Sequence, residues 1–281
     1  MKALAKQMIA RSARVPLLGR LYRVLYHVHR ISGAVYHASL PRPVAQESDL
    51  DAELARLSLS DLSVRHGPFA GMRYPSARSF GSTLLPKLIG SYEQELHPVI
   101  AALGADYSAI VDIGCAEGYY AVGMALRNPG AHVYAFDTNA DAQRQCLATA
   151  RENGVESRVT VAGLCDADTL RRLPLGPHAL VICDCEGYER QLLDDRMAEH
   201  LRDHDLIVET HDFIDIEIST AIKRALAGTH DLTSIYSTDD IQKALTTTYP
   251  ETAALPLEQR RLALREGRPC IMEWVVARSR G

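Results

Sequence analysis

The sequence predicts an α/β protein with a Rossmann-like, doubly wound, mostly parallel sheet of seven strands and helices on both faces. Short apolar runs alternate with helix-compatible segments from residue 105 onward, which is typical of parallel sheets wound by helices. The run from Ala109 to Ile113 is followed at once by Gly114, and a helical segment begins at Tyr119. This order of strand, tight glycine turn and helix is typical of proteins that bind a nucleoside-containing cofactor.

The other elements continue the alternation. The later strands are predicted at 131–136, 158–162, 178–183, 205–209, 231–236 and 271–277. Helices are predicted at 92–103, 119–127, 140–152, 188–197 and 216–227. Because ligands of such sheets bind beyond the carboxyl ends of the strands, we expect the functional residues in the loops that follow each strand.

The charge distribution divides the chain into three regions. Residues 1–46 hold eight Lys or Arg and no Asp or Glu, and their apolar residues recur every three or four positions. They predict a basic amphipathic helical arm, which would contact an anionic membrane surface, an acidic partner, a second copy or its own domain. A transit peptide is a further alternative. We expect a cap region at 47–104 and the cofactor-binding domain at 105–281, with an insertion at 237–268.

Two parts of these regions have their own predictions. Within the cap region, the pattern predicts a short helix at 49–59 and a small β-hairpin at 67–75, which is rich in Gly and Pro. The insertion at 237–268 is longer than ordinary connections and carries Arg260, Arg261 and Arg265. It would form a lid that orients an anionic acceptor, or a solvated helix.

Composition limits the location and partners. The six cysteines form no C-x-x-C pair, which favours reduced thiols and a cytoplasmic location. Peripheral membrane contact through the arm is left open. Outside residues 1–46 the chain carries 23 basic and 35 acidic residues, or −12. A nucleic-acid backbone requires clustered positive charge, so we expect a small-molecule acceptor and no nucleic acid.

The glycine loop reads Gly114-Cys-Ala-Glu-Gly118, and Asp137 follows Gly114 by 23 residues. An acidic residue about 20 residues after such a loop is in the position that binds both hydroxyls of a ribose. Glu117 would repel a pyrophosphate, so the loop disfavours a dinucleotide. Asp112, just inside the strand end, can meet a cationic or hydroxyl-bearing ligand.

At this point the chain resembles class I S-adenosylmethionine-dependent methyltransferases. Their first motif, an acid followed by x-G-x-G-x-G, is matched by Asp112, Gly114 and Gly118, with Ala116 in place of the middle glycine. The resemblance implies S-adenosylmethionine as cofactor and Asp166 beside its adenine amine, although Asp166 could equally cap a helix. The predicted cofactor-binding residues are Tyr92, Glu93, Asp112, Gly114, Cys115, Ala116, Gly118, Asp137, Thr138 and Asp166.

Three further motifs resemble the FkbM-type methyltransferases. They are Tyr92-Glu93, the run D-C-E-G-Y-E from Asp184, and Glu209-Thr-His211 at the end of the fifth strand. The resemblance covers residues 92–212. It implies O-methylation of a small molecule, a sugar or a natural-product scaffold.

His211 and Asp184 are the predicted catalytic residues. A hydroxyl acceptor must lose a proton, and His211 is the best base by type. Asp184 is the alternative base or orients the acceptor, and His211 could instead simply bond Asp212. A divalent metal is a further alternative, with ligands among Asp184, Glu209, His211 and Asp212.

Two other functions are weighed against methyl transfer. A nicotinamide- or nucleotide-sugar-dependent oxidoreductase would use a similar strand, turn and helix, but the loop lacks the dinucleotide pattern. A noncatalytic scaffold would retain cofactor binding without turnover. Binding of NAD would favour the oxidoreductase, and binding of S-adenosylmethionine without methyl transfer would favour the scaffold.

Overall fold

Seven strands form one sheet, which confirms the fold class predicted from the sequence. The computed structural model describes residues 47–281, and the basic arm predicted for residues 1–46 lies outside this part. The strands are β1 Ala109–Ile113, β2 His132–Phe136, β3 Val159–Ala162, β4 Ala179–Cys183, β5 Asp205–Thr210, β6 His230–Tyr236 and β7 Glu273–Ser279. Their order across the sheet is β3-β2-β1-β4-β5-β7-β6.

The sheet is parallel except at one side. Strands β1 to β5 pair in parallel, whereas β7 lies antiparallel between β5 and β6. Every residue of β1 and of β4 is buried, as expected for central strands covered on both faces. Ile113 of β1 pairs with Cys183 of β4, so the loops that follow these two strands leave the sheet side by side.

Helices connect the strands and cover the sheet. They are α1 Glu47–Arg56, α2 Leu84–Ile89, α3 His97–Ala102, α4 Tyr119–Arg127, α5 Ala140–Glu152, α6 Ala167–Arg172, α7 Glu189–Leu192, α8 Asp195–His200, α9 Ile218–Leu226, α10 Asp240–Thr246 and α11 Leu257–Leu264. Residues 53–281 form one compact unit. Among the described residues, no helix has the length and apolar character required to cross a bilayer.

The helices next to the glycine loop are confirmed, because α4 and α5 have the predicted bounds. The helix predicted at 188–197 is wrong as one element. It is divided into α7 and α8, because the carboxylate of Asp194 accepts a hydrogen bond from Met197 N at 2.9 Å and caps a new helix.

The region before β1 also departs from the prediction. The helix predicted at 92–103 is a 3₁₀ turn, Gln94–Leu96, followed by α3. Glu93 cannot be helical because its φ is 47°, and Pro98 favours a helix start at this point. The predicted hairpin at 67–75 is reduced to an isolated antiparallel bridge between Ser63 and Arg73.

Candidate functional site

A cavity of about 430 Å³ opens at the carboxyl ends of β1, β2, β4 and β5. Its size is in the range of small-molecule sites. The charged and titratable side chains at its wall are Lys87, Tyr92, Asp112, Cys115, Tyr119, Tyr120, Asp137, Cys165, Asp184, Cys185, Glu186, Tyr188, Glu209, His211, Glu266 and Arg268. We call the part formed by the loops after β1 and β2 the cofactor end, and the part formed by the loops after β4 and β5 the acceptor end.

Gly114 fixes the backbone at the cofactor end. Its φ is 92°, and an added Cβ would lie 1.6 Å from the carbonyl oxygen of Asp184. The N–H groups of Gly114 and Cys115 donate to the carbonyl of Phe136 at 2.8 and 2.9 Å. The loop therefore passes against the end of β4 so closely that no side chain fits at this position.

Asp137 holds the same loop from β2. One carboxylate oxygen accepts from the N–H of Ala116 at 2.9 Å, and the other accepts from the N–H of Asn139 at 2.8 Å. Ala116 occupies the left-handed region with a φ of 48°. The chain thus retains at Ala116 a backbone conformation that favours glycine, although glycine itself is missing.

Asp112 lines the cavity at the end of β1 and is buried. Its Oδ2 atom has no hydrogen-bond partner among residues 47–281. Burial raises the pKa of Asp112 to about 7, because a carboxylate loses its hydration there. A buried acceptor without a partner is suited to a ligand that brings a donor or a positive charge.

Seven of the ten predicted cofactor-binding residues line the cavity: Tyr92, Asp112, Gly114, Cys115, Ala116, Asp137 and Thr138. Gly118 is instead the N-cap of α4, and an added Cβ there would lie 3.0 Å from the sulfur of Cys146. Asp166 caps α6 by accepting from Thr169 N at 2.8 Å. Glu93 lies outside the wall and binds Arg268 at 2.8 Å.

The physical reason that we gave against a pyrophosphate is wrong. Glu117 is fully buried and does not line the cavity. Its carboxylate accepts from Lys87 Nζ at 2.5 Å and from the N–H of Phe80 at 2.9 Å. The charge of Glu117 is therefore neutralised by Lys87, a wall residue on α2 that sequence reasoning missed.

Arg268 is the second residue that sequence reasoning missed. Its guanidinium binds Glu93 and Glu266, each at 2.8 Å, and also Glu209. It lies 4.6 Å from the centre of the Trp274 ring. Burial alone lowers the pKa of Arg268, but the surrounding carboxylates outweigh it and the pKa is raised. Arg268 thus connects the end of the insertion to Glu209 of β5 and to Trp274 of β7.

The arginines that we predicted to orient an anionic acceptor do not line the cavity. Arg261 pairs with the exposed Glu258 one turn away on α11. Arg260 donates to the backbone carbonyls of Ala244 and Ala253. The insertion reaches the wall at Glu266–Arg268 instead.

His211 is buried at the end of β5 among three carboxylates. Its Nδ1 atom lies 2.9 Å from Glu189 Oε1, and its Nε2 atom lies 3.4 Å from Asp184 and 3.5 Å from Glu186. The contact between Nδ1 and Glu189 is short but poorly aligned for a hydrogen bond. Burial lowers the pKa of His211, but Glu189 and the other carboxylates outweigh burial and the net shift is upward.

The acids next to His211 differ from the expected set. Asp212 accepts from the N–H and hydroxyl of Ser219 at 2.8 and 2.6 Å, so it does not bond His211. Glu209 binds Arg268. Burial, followed by the nearby Glu93, raises the pKa of Asp184. The group around His211 therefore consists of Asp184, Glu186 and Glu189.

The sequence of residues 98–175 matches the family described as the methyltransferase small domain. This segment contains β1, the glycine loop, β2 and β3. The chain is an S-adenosylmethionine-dependent methyltransferase. Its sheet, with β7 inserted antiparallel between β5 and β6, has the strand order of the class I methyltransferase fold.

Solved structures with similarity to this methyltransferase are distant. Cofactor-bound Rv0187 from MTB is 16% identical, covers 89% of this chain and 96% of its own, and gives a TM-score of 0.45. Precorrin-6y C5,15-methyltransferase from Geobacter metallireducens GS-15 is 10% identical, covers 62% of this chain and 80% of its own, and gives a TM-score of 0.42. TrmN from Thermus thermophilus is 14% identical, covers 69% of this chain and 48% of its own, and gives a TM-score of 0.43. No curated protein matches.

The cofactor end fits S-adenosylmethionine. The loop at Gly114 leaves space that a side chain would fill, and the unpartnered oxygen of Asp112 suits the ammonium group of the methionine moiety. Asp137 lies where a ribose is bound in such folds. The residues that would hold the cofactor are therefore present on one side of the cavity.

Proposed function

We propose that this methyltransferase transfers a methyl group to a hydroxyl of a small molecule, a sugar or a natural-product scaffold. The observation that carries the proposal is the proximity of His211 and Asp184, 3.4 Å apart on the cavity wall, next to the glycine loop. The S-adenosylmethionine sulfonium supplies the methyl group when bound. The chain's task is then to align the acceptor and remove its proton.

We assign cofactor binding to the wall residues of the cofactor end. Asp137 would accept from the ribose hydroxyls and Asp112 would face the ammonium group. We also assign Thr138, which follows β2, and Tyr92, whose ring packs on Tyr119 at the start of α4, to cofactor binding. The adenine contact predicted for Asp166 stays a prediction, since its carboxylate caps α6.

We assign the handling of the acceptor hydroxyl to Asp184 and His211. Glu189 is buried and accepts from the N–H groups of Cys185 and Gly187 at 3.0 and 3.1 Å. Its carboxylate lies 2.9 Å from Nδ1 of His211, so it holds the imidazole from behind while Nε2 faces Asp184. Asp184 Oδ1 is buried and has no hydrogen-bond partner within residues 47–281, so it is available to an acceptor.

The charge of the wall favours a neutral acceptor over nucleic acid. Of the wall residues, six are Asp or Glu and two are Lys or Arg. Lys87 is bound to Glu117, and Arg268 is bound to three carboxylates. A phosphate would therefore meet net negative charge at short range. This supports a small-molecule acceptor without phosphate groups.

The finer family assignment is also a proposal. The motifs at Tyr92, Asp184 and Glu209 support an FkbM-type enzyme, while the family that matches is the methyltransferase small domain. We likewise propose a cytoplasmic location, supported by six free cysteines. The contacts of the basic arm lie outside the described residues.

We propose that the insertion at 237–268 forms a wall of the acceptor end and is held there by Arg268. The contribution of Glu266, Gly267 and Arg268 to the cavity supports this. Arg268→Met should raise the KM for the acceptor more than it changes the affinity for the cofactor product S-adenosylhomocysteine. Equal changes in both would contradict a role confined to the acceptor end.

The function is tested with radiolabelled cofactor against a panel of neutral hydroxyl compounds, matched amines and matched phosphate esters. We expect labelled ether products, and we expect His211→Ala and Asp184→Asn to lower turnover by about 10²- to 10⁴-fold. Asp212→Asn is the matched control and should keep turnover, because Asp212 bonds Ser219. Transfer to amines or phosphate esters in place of hydroxyls would contradict O-methylation of a neutral acceptor.

A further inference from the structure

Three side chains at the acceptor end bring possible metal-ligand atoms close together. Asp184, Glu186 and His211 each offer a ligand atom, and these atoms all lie within 4.8 Å of one another. Nε2 of His211 is 3.4 Å from Asp184 Oδ1 and 3.5 Å from Glu186 Oε2. Ligands bound at about 2.1 Å from a shared cation stand about 3 to 4 Å apart. We propose that these three residues bind a divalent metal cation.

The residues behind His211 provide an independent indication. Its side chain is 4% exposed and Glu189 is fully buried. A metal-bound histidine usually presents its other ring nitrogen to a carboxylate or carbonyl, which leaves a lone pair for the metal. Here Nδ1 of His211 lies 2.9 Å from the Glu189 carboxylate, so Nε2 faces Asp184 and Glu186. The His211 ring therefore has the orientation expected of a metal-coordinating histidine.

Charge points to a cation as well. Three carboxylates, those of Asp184, Glu186 and Glu189, surround one imidazole. Arg268, which lines the same cavity, is already bound to Glu93, Glu209 and Glu266. A buried oxygen of Asp184 has no hydrogen-bond partner in the described part of the chain. A divalent cation would satisfy that oxygen and balance the charge.

The ligand types narrow the metal. Two carboxylate oxygens and one imidazole nitrogen suit Mn²⁺ and its first-row neighbours, since Mg²⁺ and Ca²⁺ prefer oxygen alone. Three protein ligands leave coordination positions for water or an acceptor hydroxyl. A hydroxyl oxygen held there would have a lowered pKa and would release its proton to solvent beside the exposed Glu186. This role rests on the proposed function, with the metal in place of His211 as the group that activates the hydroxyl, whereas the metal site itself does not.

The site is tested by titrating the full chain with Mn²⁺, without cofactor or acceptor, and measuring the bound Mn²⁺ by electron paramagnetic resonance. We expect one site in the wild type, and we expect Glu186→Gln to weaken Mn²⁺ binding at least about 10-fold. Glu186 is 73% exposed, so its replacement does not threaten folding. Glu189→Gln, which disturbs the histidine from behind, should weaken binding about 10- to 100-fold.

Asp212→Asn is the matched control. The sequence suggested Asp212 as a ligand, but its carboxylate bonds Ser219, so this variant should bind Mn²⁺ within about twofold of the wild type. Absence of Mn²⁺ binding by the wild type, or equal binding by Glu186→Gln and the wild type, would overturn the proposal. The Mn²⁺ titration contains no methyl acceptor, so its result is independent of methyl transfer. A failed transfer assay therefore counts against the proposed function and not against the metal site.

Discussion

The two ends of the cavity are built in different ways. At the cofactor end, neighbours in sequence and adjacent parallel strands define the geometry, with Gly114 against β4 and Asp137 bonded to the N–H of Ala116 in the loop. At the acceptor end, side chains from distant segments meet, such as Arg268 of the insertion with Glu209 of β5. Backbone shape thus controls the first end, and paired charges control the second.

This difference separates what tolerates change from what does not. A backbone contact such as that of Gly114 leaves no room for relaxation, because the opposing atom is the carbonyl oxygen of Asp184, directly after the central strand β4. A charged side chain such as Glu186 is exposed and can be replaced without altering the chain path. We therefore expect the largest losses of stability at the cofactor end, and losses of acceptor or metal binding without unfolding at exposed positions of the acceptor end.

The largest effect is expected for Gly114→Ala. The new Cβ would lie 1.6 Å from the carbonyl of Asp184 at a φ of 92°, so we expect a loss of about 4 kcal/mol or more in the free energy of unfolding. Chemical denaturation measures it. Gly71→Ala is the control, since Gly71 has a φ of 91° but no atom within 4 Å of an added Cβ. It should cost about 1 to 2 kcal/mol. Equal losses would mean that the close approach is unimportant.

Asp112→Asn should stabilise the protein and weaken its binding of S-adenosylhomocysteine. The pKa of Asp112 is raised from 3.8 to about 7, so the folded state holds a proton that the unfolded state has released between these pH values. The contribution of Asp112 to stability is therefore lost as the pH rises from about 4 to 7, by up to about 4 kcal/mol. Asn carries no such penalty.

We thus expect Asp112→Asn to unfold at higher denaturant concentration than the wild type at pH 8, with the difference vanishing near pH 4. Denaturation curves at both pH values measure this. A variant less stable than the wild type at pH 8 would show that the ionised carboxylate is already satisfied within the protein.

A small effect is expected for Ala116→Gly. Ala116 has a φ of 48°, which costs a residue with a side chain about 1 to 2 kcal/mol, while glycine adds about 0.5 to 1 kcal/mol of backbone entropy to the unfolded chain. The net result should be a gain of roughly 0.5 to 1 kcal/mol, measured by thermal unfolding. A loss of stability would show that the methyl group of Ala116 makes packing contacts that outweigh the strain.

The sequence was informative where function depends on local spacing. The distance from Gly114 to Asp137 and the strand, turn and helix order predicted the cofactor end, because adjacent parallel strands bring these residues together in one step. Lys87 and Arg268 could not be found in this way. Their partners, Glu117 and Glu93, lie 30 and 175 positions away. Glu186 was missed as a neighbour of His211 although it stands within the motif that starts at Asp184.

Errors in the predicted helices have the same origin. An apolar pattern does not show that Glu93 is in the left-handed region or that Asp194 starts a new helix. Both features depend on side-chain and tertiary contacts that override local propensity.

The division of the cavity is tested most directly by calorimetric titration of S-adenosylhomocysteine into three proteins, namely the wild type, Asp137→Ala and His211→Ala. Asp137→Ala should lose about 1 to 3 kcal/mol of binding free energy, because the ligand hydroxyls lose a charged acceptor. His211→Ala should bind within about twofold of the wild type, because His211 serves the other end. Unchanged binding by Asp137→Ala, or equal losses in both variants, would contradict a cavity with separate cofactor and acceptor ends.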